Sequence, residues 1–336
     1  MKSDRLTRLC TIVCIAGALV LLVEVVAMSQ FRAAAAGQRM LDRTRPAVDG
    51  PGLAQLRMDV DLGKRVAAEA PDLEAALAGL VGMTTDQFGA IIQRDYPDLA
   101  TGAAQFTDVV TLTDKAVGNL EARQDAFHAA DDLPAFGLPL VSGIIMTIGF
   151  AAGLIVFGFL AWHRPSRWPR HVLVGLTTAT LLTAFLTNMP DKARQTDELF
   201  KSINFERAVA ARSRAQLTTV QTALDTLNTK LLPDIAAATG RTRPQLDALL
   251  APSFPSTSQL IAERTTFFDR FDALAVVREK NVADADRVDT APLPAIVWSF
   301  IIVAGAALTA SALADFRWRP RQVPSTRSSN RRPFRP

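Results

Sequence analysis

The sequence predicts an all-α integral membrane protein: four transmembrane helices in two tandem parallel repeats, each with a helical-hairpin extracytoplasmic domain. Three observations predict it. Four apolar runs are each near the length of a bilayer span, a constant offset of 158 residues aligns one half of the chain with the other, and the intervening segments place apolar residues at helical spacing.

The runs are 9–28, 137–162, 171–189 and 293–314. A spanning helix needs about 20 apolar residues, and 49% hydrophobic residues with a mean hydropathy of +0.16 is high for a soluble chain. The third run is the most polar, but its threonines can bond back to their own helix. The first run is read as an uncleaved anchor rather than a signal peptide, because its apolar stretch is long and no clean cleavage site follows.

Basic residues set the expected orientation. Lys2, Arg5 and Arg8 precede the first run, Arg164, Arg167 and Arg170 lie between the second and third, and seven arginines follow the fourth, which makes 13 of the 37 Lys and Arg. The segments 29–136 and 190–291 hold the other 24, balanced by 30 acidic residues. The positive-inside rule then puts both termini in the cytoplasm and both long loops outside. The net charge of +4 comes from these flanks, so no nucleic-acid partner is expected. The bias of 30 Arg to 7 Lys is that of a GC-rich bacterial genome, which makes the membrane a bacterial plasma membrane.

The repeat is clearest in a short phrase. "VGMTTDQFGAII" (81–92) is echoed by "TGRTRPQLDALL" (239–250). Thr84 with Gln87, and Thr242 with Gln245, form the S/T-x-x-E/Q capping box. Gly82 and Gly240 can end a preceding helix, so each phrase reads as helix stop, turn, helix start. From 73 to 134, 13 of 62 positions match their partners 158 residues on, among them Pro97 with Pro255, Asp114 with Asp272, Glu121 with Glu279 and Pro134 with Pro292. Random pairing would give roughly 6–8%. The units are 1–160 and 161–318, followed by a disordered basic tail, 319–336. The two units keep the same orientation in the membrane, which makes them parallel repeats.

Each loop reads as a helical hairpin with a short capped helix at its tip. Leu217, Val220, Leu224, Leu227 and Leu231 form a seam, faced by Ile261, Phe268, Phe271 and Leu274 on the return segment. Phe106, Val110, Val117, Leu120 and Phe127 make the matching stripe in the first loop, whose outgoing segment is expected to break at 43–52 and at Pro71. Two such hairpins can bury their stripes on each other as a four-helix bundle. Pro134 and Pro292 are expected to break the chain before the second and fourth spans. The layout resembles bacterial sensor proteins that hold a helical extracytoplasmic domain between two spans, though no signalling module is legible.

No catalytic constellation is present, and no cofactor or metal is expected. Cys10 and Cys14, one turn apart in the first run, are read as packing residues. Glu24 is the one acidic residue inside a run, and with Thr180 and Thr183 it forms the candidate intramembrane polar set. Gly149 and Gly153, matched by Ala307 and Ser311, have the small-xxx-small spacing of close helix packing. The candidate interaction residues are Thr84, Asp86, Gln87, Thr242, Arg243 and Gln245 at the two tips. The expected function is non-enzymatic: a scaffold or sensor-like protein whose outer bundle binds an envelope component or partner membrane protein. The alternative is a transporter or channel component acting as a homo-oligomer. Membrane lipids are the other expected partner, the basic tail favouring anionic headgroups.

Overall fold

The computed structural model describes residues 2–133, 138–163, 168–204, 207–288 and 292–316, and every regular element among them is helical. Pro134, Arg164, Arg167 and the tail 319–336 lie outside the described residues. In chain order the helices are α1 (Lys2–Ala27), α2 (Gln30–Val48), α3 (Gly50–Leu80), α4 (Thr85–Asp95), α5 (Pro97–Ala122), α6 (Gln124–Asp131), α7 (Leu140–His163), α8 (Trp168–Leu186), α9 (Met189–Asn204) and α10 (Arg207–Thr226). A π-helical turn, Leu227–Leu231, comes next, and then α11 (Leu232–Ala238), α12 (Arg243–Leu250), α13 (Pro255–Val288) and α14 (Leu293–Phe316). The chain divides into two compact units.

The first unit gathers 1–27, 144–188 and 295–336, and so holds α1, most of α7, α8 and most of α14. Three helices, Arg5–Ala27, Leu140–His163 and Leu293–Ala314, are long and apolar enough to cross a membrane, and up to five spans result if each of two interrupted helix pairs counts as one. These are the features of a multi-pass membrane protein. Helix α8 reaches the criterion only together with α9, because Arg170, His171 and four threonines dilute its apolar content. It nevertheless buries Leu173 in one core with Cys10, Cys14, Leu21, Leu154 and Ala304. The helices approach closely at small residues: a Cβ on Gly17 would stand 2.7 Å from Val303 Cγ1, and one on Gly158 3.3 Å from Cys14 Cβ.

The second unit, 28–143 and 189–294, is the polar one. Its core draws on both halves of the chain. Leu217, Val220, Leu224, Leu227 and Leu231 are all buried, and so are Phe268 and Phe271 opposite them. Leu56, Val60, Val66, Val109 and Val117 complete the same cluster. The helical spacing read in the sequence is therefore the spacing of the core, and burying each such Leu or Phe is worth about 1.5–3 kcal/mol. Four long helical paths make this bundle: α3 and α5 from the first half, α10 and α13 from the second. Helices α5 and α10 meet across the halves at Gly102, where a Cβ would stand 2.2 Å from Ala223 Cβ. The first helix of each half also crosses over, α2 packing on α13 and α9 on α6.

The break expected at 43–52 falls at Asp49, between α2 and α3, but the one expected at Pro71 does not occur. Helix α3 runs through Pro71 without ending, and α2 contains Pro46. A proline removes one intrahelical bond, and packing along the rest of α3 outweighs that loss. Pro97 and Pro255 begin α5 and α13, where a missing N–H removes no helical bond. Pro292 immediately precedes α14.

Candidate functional site

Each echoed phrase builds the turn its residues imply. Gly82 and Gly240 take φ of +70° and +65°, left-handed values that suit glycine. Met83 N–H donates to Ala78 O at 2.9 Å, and Arg241 N–H to Ala236 O at 2.8 Å, closing the preceding helix in the same manner. The next helix then starts on its cap. Gln87 N–H donates to Thr84 Oγ1 (3.3 Å) and Thr84 N–H to Gln87 Oε1 (3.1 Å), while Thr242 N–H donates to Gln245 Oε1 (2.9 Å). Phe88 and Leu246 anchor the two short helices in the core.

Hydrogen bonds tie the two halves to each other near the tips. Tyr96, at the end of α4, donates its hydroxyl proton to Asp234 of α11 (2.5 Å), and that carboxylate pushes the phenol up to about 12. Glu69 of α3 accepts from Ser256 N (3.1 Å), Thr257 N (2.8 Å) and Thr257 Oγ1 (2.8 Å), so one half caps the return helix of the other. Burial opposes charge on Glu69, but these hydrogen bonds outweigh it and hold its carboxyl below the usual range. Thr84, Asp86, Gln87, Thr242 and Gln245 are exposed at this end. Arg243 is different. Its guanidinium donates to Asn228 O (2.5 Å), Asn228 Oδ1 (2.9 Å) and Asp247 (2.7 Å), tying α12 to the π turn, and its side chain is only 25% exposed. A groove of about 380 Å³ runs beside it, with Leu227, Leu250, Phe254 and Ile261 among its walls and Arg264 on its edge.

The intramembrane candidates do not form one site. Glu24 is half-buried, with Ser299 Oγ of α14 donating to it at 2.6 Å. Thr180 is half-buried and Thr183 exposed, while their neighbour Thr177 is fully buried and bonded to Leu173 O (2.7 Å). Between Glu24 and the buried polar residues Thr11 and Ser311, α1 is sealed by Ala18 and Leu21. Ala307 and Ser311 are buried, and Gly153 lies under Leu176. Gly149 is exposed with open space around it, so no helix packs on it among the described residues.

Several structured charges carried no sequence signal. Arg57 joins Asp114 (2.6 Å) and Glu121, and Arg214 joins Asp272 (3.1 Å) and Glu279 (3.2 Å). The acids stand out as matched pairs in the sequence, but the arginines are 157 apart and fall out of register with them. Asp284 is buried within reach of Arg39 (2.7 Å), Arg43 (2.8 Å) and Arg287 (2.8 Å), and Arg39 foremost holds its carboxyl at about 2.

No protein-family model, curated protein or solved structure matches this chain.

Proposed function

We propose that this chain is a non-enzymatic protein of a bacterial plasma membrane, built by tandem duplication, whose polar helical bundle lies outside the membrane and captures an envelope component or a partner membrane protein. The observation that carries the reading is the pair of capped helix starts that expose Thr84, Asp86, Gln87, Thr242 and Gln245, with the end of the first short helix tied to the second half through Tyr96 and Asp234. Surface built from rigid capped helices, with a groove beside it, is the arrangement expected of a recognition tip. The duplication is supported by the matched turns, the matched caps and the matched arginine–acid sets. The basic flanks support the orientation, and the tip then faces the envelope.

The test is crosslinking in native membranes from a photoreactive residue at the exposed position 85 or 248, in the chain that keeps Asp86 and Gln245 and in one carrying Asp86→Lys and Gln245→Glu. A partner captured by the wild-type chain and lost several-fold in the altered one, at unchanged unfolding midpoint, is the expected result. Equal capture by both would sink tip recognition. The second reading, an oligomeric transporter or channel component, draws on the outward Gly149 and Thr183, which leave a small and polar face for a second copy. Self-crosslinks concentrated at those residues would favour it.

A further inference from the structure

Three charged side chains are buried among the described residues: Asp59, Arg170 and Asp284. Two are answered. Asp59 accepts from Arg270 at 2.6 and 2.7 Å, and Asp284 from three arginines. Arg170, in the first turn of α8, is 5% exposed and meets no carboxylate among the described residues. Its Nη2 donates to Thr7 Oγ1 of α1 (2.9 Å), and its Nε–H is buried with no partner.

A guanidinium cannot shed its charge as a lysine or histidine can. Left in an apolar helical unit with one hydroxyl as its partner among the described residues, it is strongly disfavoured unless an anion joins it. The surroundings suit a phosphate. Arg8 stands over the Trp162 ring at 6.0 Å, and Trp162 and Trp168 are about half exposed, an arginine and tryptophan belt of the kind found at headgroup depth. The positive end of the α8 dipole also favours an anion here. Guanidinium and phosphate pair through charge-assisted hydrogen bonds, and the Nε–H of Arg170 is left for one.

We propose that Arg170, oriented by Thr7, binds a phosphate group at this end of the apolar unit, carried by an anionic phospholipid or free in solution. The site is independent of the recognition tip and stands or falls separately from it.

The full-length chain, delipidated in detergent, is compared in three settings: with added inorganic phosphate, in phosphatidylcholine vesicles, and in phosphatidylcholine vesicles containing phosphatidylglycerol. The readout is the unfolding midpoint. Phosphatidylglycerol is expected to raise the wild-type midpoint by several degrees and to leave Arg170→Leu unmoved. In detergent before phosphate is added, Arg170→Leu is expected to be at least as stable as wild type, since it removes an unanswered charge. A response to lipid but not to inorganic phosphate assigns the lipid headgroup, and a response to both assigns a free anion site. Thr7→Val keeps the charge and is expected to need about threefold more phosphatidylglycerol for half the response. A wild-type midpoint that ignores both phosphate sources, or an Arg170→Leu midpoint depressed equally in all three settings, would overturn the proposal and leave Arg170 a packing residue.

Discussion

Helix α3 crosses the bundle as one α-helix, while the corresponding path in the second half is divided into α10, the π turn and α11. The ends of the two paths are nonetheless equivalent. Arg57 precedes Gly82 by 25 positions and Arg214 precedes Gly240 by 26, yet each arginine reaches its acidic pair and each glycine makes its turn. The extra residue is absorbed at Leu227–Leu231, where Leu232 N–H reaches back five residues to Leu227 O. A π turn lets a helix hold one added residue without rotating the turns beyond it. The bundle thus preserves the places where helices touch and turn rather than the count of residues between them.

Deletions would sharpen that comparison most. Removing Thr229 from the π turn is expected to restore a plain α-helix, with α10 and α11 keeping their faces and the unfolding midpoint staying within a few degrees. Removing Ala68 from α3 rotates one part of the helix against the other by about 100° per residue, so one side loses its core face. That deletion is expected to abolish cooperative unfolding, and circular dichroism melts distinguish the two. Equal damage from both would break the reading of Leu227–Leu231 as an insertion.

The halves differ next in how their return helices are capped. Glu69 takes two backbone N–H groups and a hydroxyl at the start of α13, and the position aligned with it in the second half is Thr226, which has no carboxylate to offer α5. Glu69→Ala is expected to destabilise the bundle by about 1–3 kcal/mol, the cost of leaving polar groups unpaired. Hydrogen exchange should quicken first at Ser256 and Thr257. Exchange that changes uniformly would mean that Glu69 does not act there as a cap.

The difference between what could and could not be read from the sequence has the same physical origin. The Leu217–Leu231 seam and both capping boxes are local patterns of three and four residues, so they are visible without knowing what they face. Tyr96 with Asp234 and Glu69 with Thr257 are ordinary surface types until folding joins positions more than a hundred residues apart. Arg57 and Arg214 fall one position out of the 158-residue register, so they do not show as a matched pair. Pro71 looked like a break because composition does not show the packing along the rest of its helix. Gly149 had the spacing of a contact, while the close approaches fell at Gly17, Gly153 and Gly158, whose neighbours lie on other helices. The tip residues could be found from their caps, but Arg243 could not be recognised as the tie to a π turn that the sequence does not announce.

Asp284 gives a pH-dependent contrast. The residue aligned with it in the first half is Ala126, so only the second half has a carboxylate held by three arginines. Its folded pKa of about 2 lies below the ordinary value of 3.8. The stabilisation is therefore present above about pH 4 and is lost as pH falls through about 2. With Arg39 and Arg287 well exposed to solvent, roughly 1–2 kcal/mol is expected. The wild-type midpoint should fall across that window more steeply than that of Asp284→Asn. Parallel pH profiles would show that the arginines give this carboxylate no net stabilisation.

The smallest expected effect separates the two arginine–acid sets. Arg57 is 30% exposed and bonds both Asp114 and Glu121, and Lys64 adds a second cation 2.9 Å from Asp114. Arg214 is 47% exposed, and its contacts are longer, at 3.1 and 3.2 Å. Solvent screens the second set more, and exposed pairs contribute about 0–1 kcal/mol. Arg57→Ala is therefore expected near the upper end of that range and Arg214→Ala near zero, both measured by denaturant unfolding at low salt. Raising the salt should shrink the gap, because screening removes what little the charges contribute. A gap that persists at high salt would locate it in the packing of the Arg57 stem along α3 and α5 rather than in its ion pairs, since a long aliphatic stem covers apolar surface whatever the salt.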